Sequence, residues 1–275
     1  MKRYLALLII VLLFIMPVFP AVEKHSEEYL KNNKHPFAMN ILGETVVKSA
    51  VKHALKKEAP GRYKVKFKGY TLSSMKKGIF KYLEVTGKNV NIDNIIIPYI
   101  NVKTVTDYNW IDYNQNPVVF KSDMEFDLTA HLSEKCINEI LSGEDYEKIL
   151  RRINKRVFPL FTINKVKVEL KYNKMYVIIS YNFPLAPREK DNTLTVSSKL
   201  KVINNEIRAM EVLCDGAYKN LPSDKVSNLI NMLNPMNFAV KLIDNNSGEI
   251  KVKEVEISDD IVIINGKMYI KGEKK

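Results

Sequence analysis

One long amphipathic helix pattern stands in a chain that otherwise alternates apolar and polar residues in steps of two. The stretch Ala38–Ala59 repeats its apolar residues at the i, i+3, i+4, i+7 spacing that gathers side chains on one helical face. The helix must end before Pro60-Gly61, because proline lacks the backbone N–H that a helix uses. The residues expected to form a buried stripe against a sheet are Leu42, Val46, Val47, Ala50, Val51, Ala54 and Leu55.

The segments after this helix have the pattern of strands. Arg62–Tyr70 alternates strictly, with Tyr63, Val65 and Phe67 on one face and basic residues on the other, and Val118–Leu132 has the same period of two. Further strands are predicted at Ile79–Ile92, Ile95–Val105, Phe161–Tyr172, Lys174–Phe183, Thr193–Ile203, Glu206–Cys214, Phe238–Leu242, Glu249–Ser258 and Asp260–Lys271.

Helix and turn signals punctuate these strands. Ser133 and Ser223 each precede a helical apolar stripe and are expected as N-caps, and another helix is expected near Asp145–Arg156. Asn265-Gly266 predicts a turn inside the last strand. The order is one helix, four strands, two helices, four strands, one helix and three or four strands. Because this order lacks βαβ alternation, it predicts an α+β fold with a long antiparallel sheet.

The N-terminus predicts export. Lys2 and Arg3 precede an apolar run from Tyr4 to Val22, which is the pattern of a secretory signal. Cleavage after Ala21 and retention as a signal anchor both fit, because the run approaches the roughly 20 residues that span a bilayer. The expected organisation is a signal peptide or anchor at 1–21, a charged tether at 22–37 and a single elongated domain at 38–275. The expected location is the periplasmic or extracellular face of the membrane.

The charge balance predicts an anionic partner. The formal net charge is +12, and a basic surface attracts nucleic acid, acidic glycans or anionic lipid headgroups. Export argues against DNA or RNA. The candidate anion-binding residues are the lysines of the first strand and of the segment after it, which are Lys64, Lys66, Lys68, Lys76 and Lys77. The alternative is that these lysines form an ordinary solvated face.

The sequence contains no HExxH, CxxC, GxSxG or glycine-rich phosphate motif. Asp127, His131 and Cys136 could form a nucleophilic triad, but the alternation places the first two on a solvated strand face while Cys136 starts a helix. We therefore expect no enzymatic activity, cofactor or metal. Cys136 and Cys214 could pair in an exported chain or remain separate thiols.

Three strands are apolar on both faces, at 95–97, 177–179 and 261–264. Such strands occur where a sheet is covered on both sides or where one face lines an apolar groove. The residues alone leave both arrangements open.

The order of the segments resembles the LmeA-like phospholipid-binding family of bacterial envelope proteins. The resemblance is carried by the opening helix with its basic strand, by Gly78–Ile92 (GIFKYLEVTGKNVNI), by Leu128–Leu141 (LTAHLSEKCINEIL) and by Leu233–Ile270. It covers nearly all of the chain after the signal. It implies a tubular lipid-binding fold, in which a long curved antiparallel sheet wraps around the N-terminal helix and acyl chains lie between the two.

The resemblance implies an exported, non-enzymatic protein that binds or transports phospholipid, with an anionic phospholipid and the membrane surface as partners. The lysines named above would hold the headgroup. The apolar faces supply the groove residues, which would be Leu42, Val46, Val47, Ala50, Val51, Ala54, Leu55, Tyr63, Val65, Phe67, Phe126 and Leu128. The alternative is a signal-anchored structural domain that binds anionic cell-wall polymer through its lysine-rich face.

Overall fold

The computed structural model describes residues 37–92, 94–112, 115, 119–157, 162–182, 192–215, 222–234, 236 and 249–273. The predicted signal, the predicted tether up to residue 36 and the predicted strand Phe238–Leu242 lie outside these residues. Within them the chain is α+β with mostly antiparallel sheets, which confirms the predicted α+β class, while the wrapping of the sheet around the N-terminal helix stays a prediction.

The described residues form five helices and twelve strands. The helices are α1 (Phe37–Glu58), α2 (Leu72–Lys76), α3 (Glu134–Leu141), α4 (Glu144–Val157) and α5 (Ser223–Leu233). The strands are β1 (Arg62–Gly69), β2 (Ile79–Ile92), β3 (Ile95–Thr104), β4 (Asn109–Asp112), β5 (Val119–Phe120), β6 (Met124–Ser133), β7 (Thr162–Lys171), β8 (Lys174–Asn182), β9 (Asn192–Ile203), β10 (Glu206–Cys214), β11 (Glu249–Ser258) and β12 (Ile261–Ile270).

The strands make two sheets. The larger sheet has eight strands in the order β11–β12–β6–β3–β2–β4–β5, with β1 also paired to β2. The smaller sheet has four strands in the order β10–β9–β8–β7. The pairings of β2 with β1, β3 and β4 are antiparallel, as are those of β8 with β7 and β9.

The chain groups into two compact units. The first comprises residues within 1–130, 242–251 and 266–275, and the second comprises residues within 131–241 and 252–265. Strands β6, β11 and β12 each contribute residues to both units. The single elongated domain expected over 38–275 stays a prediction.

In the first unit, α1 packs against β1. The inward face of β1 supplies two buried aromatic rings, those of Tyr63 and Phe67. The Tyr63 hydroxyl donates a 2.7 Å hydrogen bond to the carbonyl oxygen of Ala59 just after the helix, and the Phe67 ring lies 5.4 Å from that of Phe80 on β2. The hydrogen bond from Tyr63 fixes the end of α1 to β1, and the ring contact joins β1 to β2.

In the second unit, asparagine side chains occupy both edges of the four-stranded sheet. At the β7 edge, Asn138 of α3 accepts a hydrogen bond from Val168 N and donates one to Val168 O, both 2.8 Å long. Asn154 of α4 makes the same pair of contacts to Ile163, both 2.9 Å long. A primary amide carries one acceptor and one donor group, so it reproduces the two contacts of a neighbouring strand.

At the β10 edge, asparagine side chains of α5 and of the residue after it bond to the strand backbone in the same way. Asn231 accepts a 2.9 Å hydrogen bond from Ala209 N and lies 3.5 Å from Ala209 O, and Asn234 donates a 2.6 Å bond to Ile207 O. We call Asn138, Asn154 and Asn231 the amide caps.

Two local predictions about helix starts have different outcomes. Ser133 caps α3 as predicted, because its hydroxyl accepts a 3.2 Å hydrogen bond from Cys136 N. Ser223 is instead the first residue of α5. The cap residue is Pro222, which makes no side-chain hydrogen bond.

Two strand predictions need correction. Asn265-Gly266 does not form a turn, because β12 runs through it in the interior of the larger sheet, and the chain turns earlier, where Asp259 has a φ of 51°. The backbone hydrogen bonds that β12 makes to strands on both sides outweigh the local turn preference of Asn265-Gly266. The predicted strand Val118–Leu132 is divided into the short β5 and the long β6.

Candidate functional site

The predicted stripe on α1 is wider than its buried face. At about 100° per residue the seven stripe residues spread over about 220° of the helix circumference. The four that fall within about 100° of one another, Val47, Val51, Ala54 and Leu55, are buried. The prediction that the whole stripe is buried is therefore wrong for Leu42 and Val46, because a helix packed on one strand layer cannot bury so wide an arc.

Leu42 and Val46 form an exposed apolar pair one helical turn apart. Their side chains are 66% and 49% exposed, while Ala50, one turn further along, is half-buried. Residues four apart on a helix are neighbours on its surface. The pair is therefore a continuous apolar patch on α1, which we call the α1 patch.

Polar and close contacts hold the N-terminal half of α1 in place. Asn40 donates a 3.2 Å hydrogen bond to Tyr70 O, and the Glu44 carboxylate accepts one from Gly69 N, also 3.2 Å long. A Cβ placed on Gly43 would lie only 2.7 Å from the terminal methyl carbon of Met75 on α2, so glycine allows the two helices to approach. The α1 patch is thus exposed on a helix that is anchored on its other side.

The remaining predicted groove residues are mostly packed within the protein. Tyr63 and Phe67 of β1 and Phe126 and Leu128 of β6 are buried, and Val65 is half-buried. Together with the buried side chains of α1, they already contact protein.

The three lysines of β1 are exposed, as the alternation predicts. Lys66 pairs with Glu84 of β2 at 2.8 Å, and the same carboxylate accepts hydrogen bonds from Tyr82 at 2.8 Å and Asn101 at 3.2 Å. The bond from Lys66 is the largest cause that lowers the pKa of Glu84, while partial burial and the carboxylate raise the pKa of Tyr82 to about 12. Lys66 is thus engaged within the sheet, while Lys64 and Lys68 extend into solvent.

The other two predicted lysines differ from these three. Lys76 and Lys77 are half-buried at the end of α2, and Lys76 has interactions within the chain. The ammonium nitrogen of Lys77 is buried and has no hydrogen-bond partner among the residues that the structure describes. The sequence pattern did not predict that the Lys77 nitrogen is buried, because its burial depends on how α2 packs in three dimensions.

Two of the three strands predicted to be apolar on both faces, β8 and β12, are buried on one face and half-buried on the other. On β8, Val177 and Ile179 are buried while Ile178 between them is half-buried. On β12, Val262 and Ile264 alternate with half-buried isoleucines in the same way. On β3, one of the three isoleucines at 95–97 is exposed. The sheets therefore retain apolar area on their outward faces.

The residues of the imagined triad have other roles. Asp127 pairs with Lys103 at 3.3 Å, and His131 has its own interactions, with a pKa lowered by partial burial. Burial, with a smaller effect of Glu139, raises the pKa of Cys136 to about 12. The thiol is therefore protonated near neutral pH, which disfavours its action as a nucleophile.

Three further properties of the described part of the chain bear on function. No group of three or more His, Cys, Asp or Glu side chains there could hold a metal ion. Cys136 is buried and Cys214 half-buried, and both thiols are free. No helix in the described ranges is long and apolar enough to cross a membrane.

Comparison with known proteins adds no relative to these observations. No protein family, curated protein or solved structure matches the chain.

Proposed function

We propose that this is an exported, non-enzymatic protein that binds or transports phospholipid in the cell envelope. The observation that carries the proposal is the α1 patch, in which Leu42 and Val46 expose large apolar side chains on a helix anchored to the sheet by its opposite face. A contiguous apolar patch that stays exposed in the described part of the chain is typical of a surface that meets a ligand or membrane.

The acyl chains would lie along α1. In this proposal the larger sheet curves around α1 as in tubular lipid-binding proteins, and the acyl chains enter beside Leu42 and Val46. They reach the buried groove residues when the helix and sheet separate. Each CH₂ group removed from water contributes about 0.8 kcal/mol, so even a few carbons of contact give useful affinity.

The headgroup would lie at the basic end of this site. Lys64 and Lys68 are exposed on β1. Lys76 is the last residue of α2 and Lys77 follows it, and α2 packs against both α1 and β1. An ammonium group binds a phosphate as a compact point charge. The proposed partner is therefore an anionic phospholipid taken from a membrane surface, with no nucleic acid and no metal involved.

One observation favours a second function. The exposed lysines of β1 lie on a single strand face, which would suit a signal-anchored structural domain that binds anionic cell-wall polymer. Exposed charge pairs are screened strongly by salt, with a Debye length of about 10 Å at 0.1 M. Polymer binding would therefore collapse as salt rises, whereas acyl-chain burial would persist.

A photo-crosslinking experiment tests the lipid proposal. The full-length protein is incubated with vesicles of phosphatidylglycerol carrying a diazirine on one acyl chain, irradiated, and digested with trypsin. We expect crosslinks in the peptide that spans residues 35–48, which contains the α1 patch. The double variant Leu42→Glu and Val46→Glu should lose these crosslinks at least about tenfold, because each carboxylate would have to be desolvated beside the acyl chain.

The matched control is the double variant Ile96→Glu and Val105→Glu. Ile96 of β3 and Val105, the residue after β3, are about as exposed as Val46, at 44% and 46%, so both double variants add the same charge at exposed sites. Both should keep a near-native melting temperature. Unchanged crosslinking at residues 35–48 in the α1 variant, or an equal loss in the control, would contradict the proposal.

A further inference from the structure

Lys77 differs from the other lysines that are proposed to bind the headgroup. Its ammonium nitrogen is buried, and among the described residues no carboxylate, carbonyl or hydroxyl oxygen accepts a hydrogen bond from it. The lysines of β1 are exposed and Lys66 is paired with Glu84. A charged nitrogen taken out of water without a partner destabilises the fold unless something compensates it.

The backbone around Lys77 is fixed on both sides. Its own N–H donates to Ser74 O at 3.0 Å at the end of α2, and Gly78 N donates to Met75 O at 3.0 Å. The Gly78 carbonyl in turn accepts a 3.0 Å bond from Ile111 N of β4, and Gly78 has a φ of 76°, which suits a residue without a Cβ. The base of the Lys77 side chain is therefore held firmly.

The position of Lys77 relates it to α1. Met75, two residues earlier, is buried and packs close to Gly43 of α1 and Gly69 of β1. The start of α2 is closed by a reciprocal capping box between Thr71 and Ser74. The buried ammonium thus belongs to a segment that contacts the N-terminal half of α1, the half that also carries the α1 patch, on the side of the helix away from the patch.

We propose that the Lys77 ammonium binds a phosphate-type oxyanion, and that this oxyanion is the phosphodiester of the bound phospholipid. The second half of this inference rests on the proposed function. A phosphate oxygen would supply the charge-assisted hydrogen bonds that the protein leaves unmade at Lys77. The exposed lysines would contribute little by comparison, because exposed ion pairs are worth little. Lys77 would then distinguish a phospholipid from an uncharged diacyl lipid.

The test uses Lys77→Met, which keeps most of the length of the side chain and removes the charge, with Lys64→Met as the exposed control. Three probes are used with the full-length protein: inorganic phosphate, phosphatidylglycerol and diacylglycerol with the same acyl chains. We expect Lys77→Met to weaken phosphatidylglycerol binding at least about tenfold and to leave diacylglycerol binding within about twofold. Lys64→Met should change both by about twofold or less.

A second readout needs no lipid. Ligand-free Lys77→Met should melt at a higher temperature than the wild type, because an uncompensated buried charge is gone, and inorganic phosphate should raise the melting temperature of the wild type only. Lys77→Gln serves as the second neutral variant. The inference is overturned if ligand-free Lys77→Met melts at a lower temperature, or if phosphate stabilises both proteins equally.

The two proposals fail in different ways. If phosphatidylglycerol binds the wild type and Lys77→Met equally well, the Lys77 assignment is wrong and the lipid-binding function stands. If neither lipid binds the wild type but phosphate stabilises it through Lys77, the oxyanion site stands and the proposed function is wrong.

Discussion

Glu84 is the residue that ties the lysine face of β1 to the sheet. Its carboxylate accepts hydrogen bonds from Lys66, Tyr82 and Asn101, and its side chain is only 15% exposed. The bond from Lys66 is the main reason that its pKa falls below the ordinary value of 4.5. The ionised form of Glu84 is therefore favoured by folding.

The pH dependence of stability follows from this shift. Because the pKa of Glu84 is lower in the folded state, its contribution is fully present above the unfolded-state pKa and is lost as pH falls through the folded-state pKa. Glu84→Gln should lower stability at pH 7 and flatten the loss of stability below about pH 4.5. Urea unfolding at pH values from roughly 3 to 7 measures both effects.

The control for this prediction is Glu256→Gln, which replaces an exposed carboxylate of β11. This substitution should leave the loss of stability at acidic pH unchanged. An equally steep loss of stability at acidic pH in Glu84→Gln and the wild type would show that Glu84 does not carry the effect.

At the scale of elements, the amide caps solve a problem common to open sheets. An edge strand presents unpaired N–H and C=O groups that can pair with another chain. In the four-stranded sheet, Asn138 and Asn154 bond to β7, and Asn231 bonds to β10. The helices of the second unit therefore protect both edges by side-chain hydrogen bonds as well as by packing.

Asn138→Ala tests this role. It removes both contacts to Val168, a fully buried residue, and leaves a buried backbone N–H and C=O without their partner. We expect a loss of about 1–3 kcal/mol in the free energy of unfolding, measured in urea. Asn228→Ala, on the exposed face of α5, should cost less than about 0.5 kcal/mol. Equal effects of the two substitutions would rule out a special role for the cap.

The sequence predicted best those elements whose pattern was long. The bounds of β2 and β11 agree with the predicted strands Ile79–Ile92 and Glu249–Ser258, although the buried face shifts by one residue within each strand. The five-residue α2 and the four-residue β4 were missed, because segments this short carry too little periodicity.

The candidate site was predictable only in part for a different reason. The helical spacing of α1 identified the apolar residues, but it could not show that the packed face includes Val47 and excludes Val46. It also could not separate Lys77 from the other lysines, since the burial of one nitrogen atom depends on tertiary contacts. Both features are set by which surfaces α1 and α2 turn toward the sheet.

At the scale of the whole molecule, the order of strands in the larger sheet lies beyond what local pattern can give. β12 is hydrogen-bonded between β11 and β6, although β6 is far earlier in the chain. Such pairing depends on long-range contacts, whereas periodicity reports only on neighbours in sequence. The composition agrees with a basic, folded protein, and the formal net charge of +12 suits an anionic partner.

The most direct test of the lipid-binding proposal is the lipid content of the protein itself. The full-length protein is purified from its host, extracted with denaturing organic solvent, and analysed by quantitative mass spectrometry. If the protein binds lipid in a single groove, we expect a defined phospholipid in near-stoichiometric amounts, about one per chain. A protein that carries no phospholipid, and that also takes up none from vesicles, would contradict it.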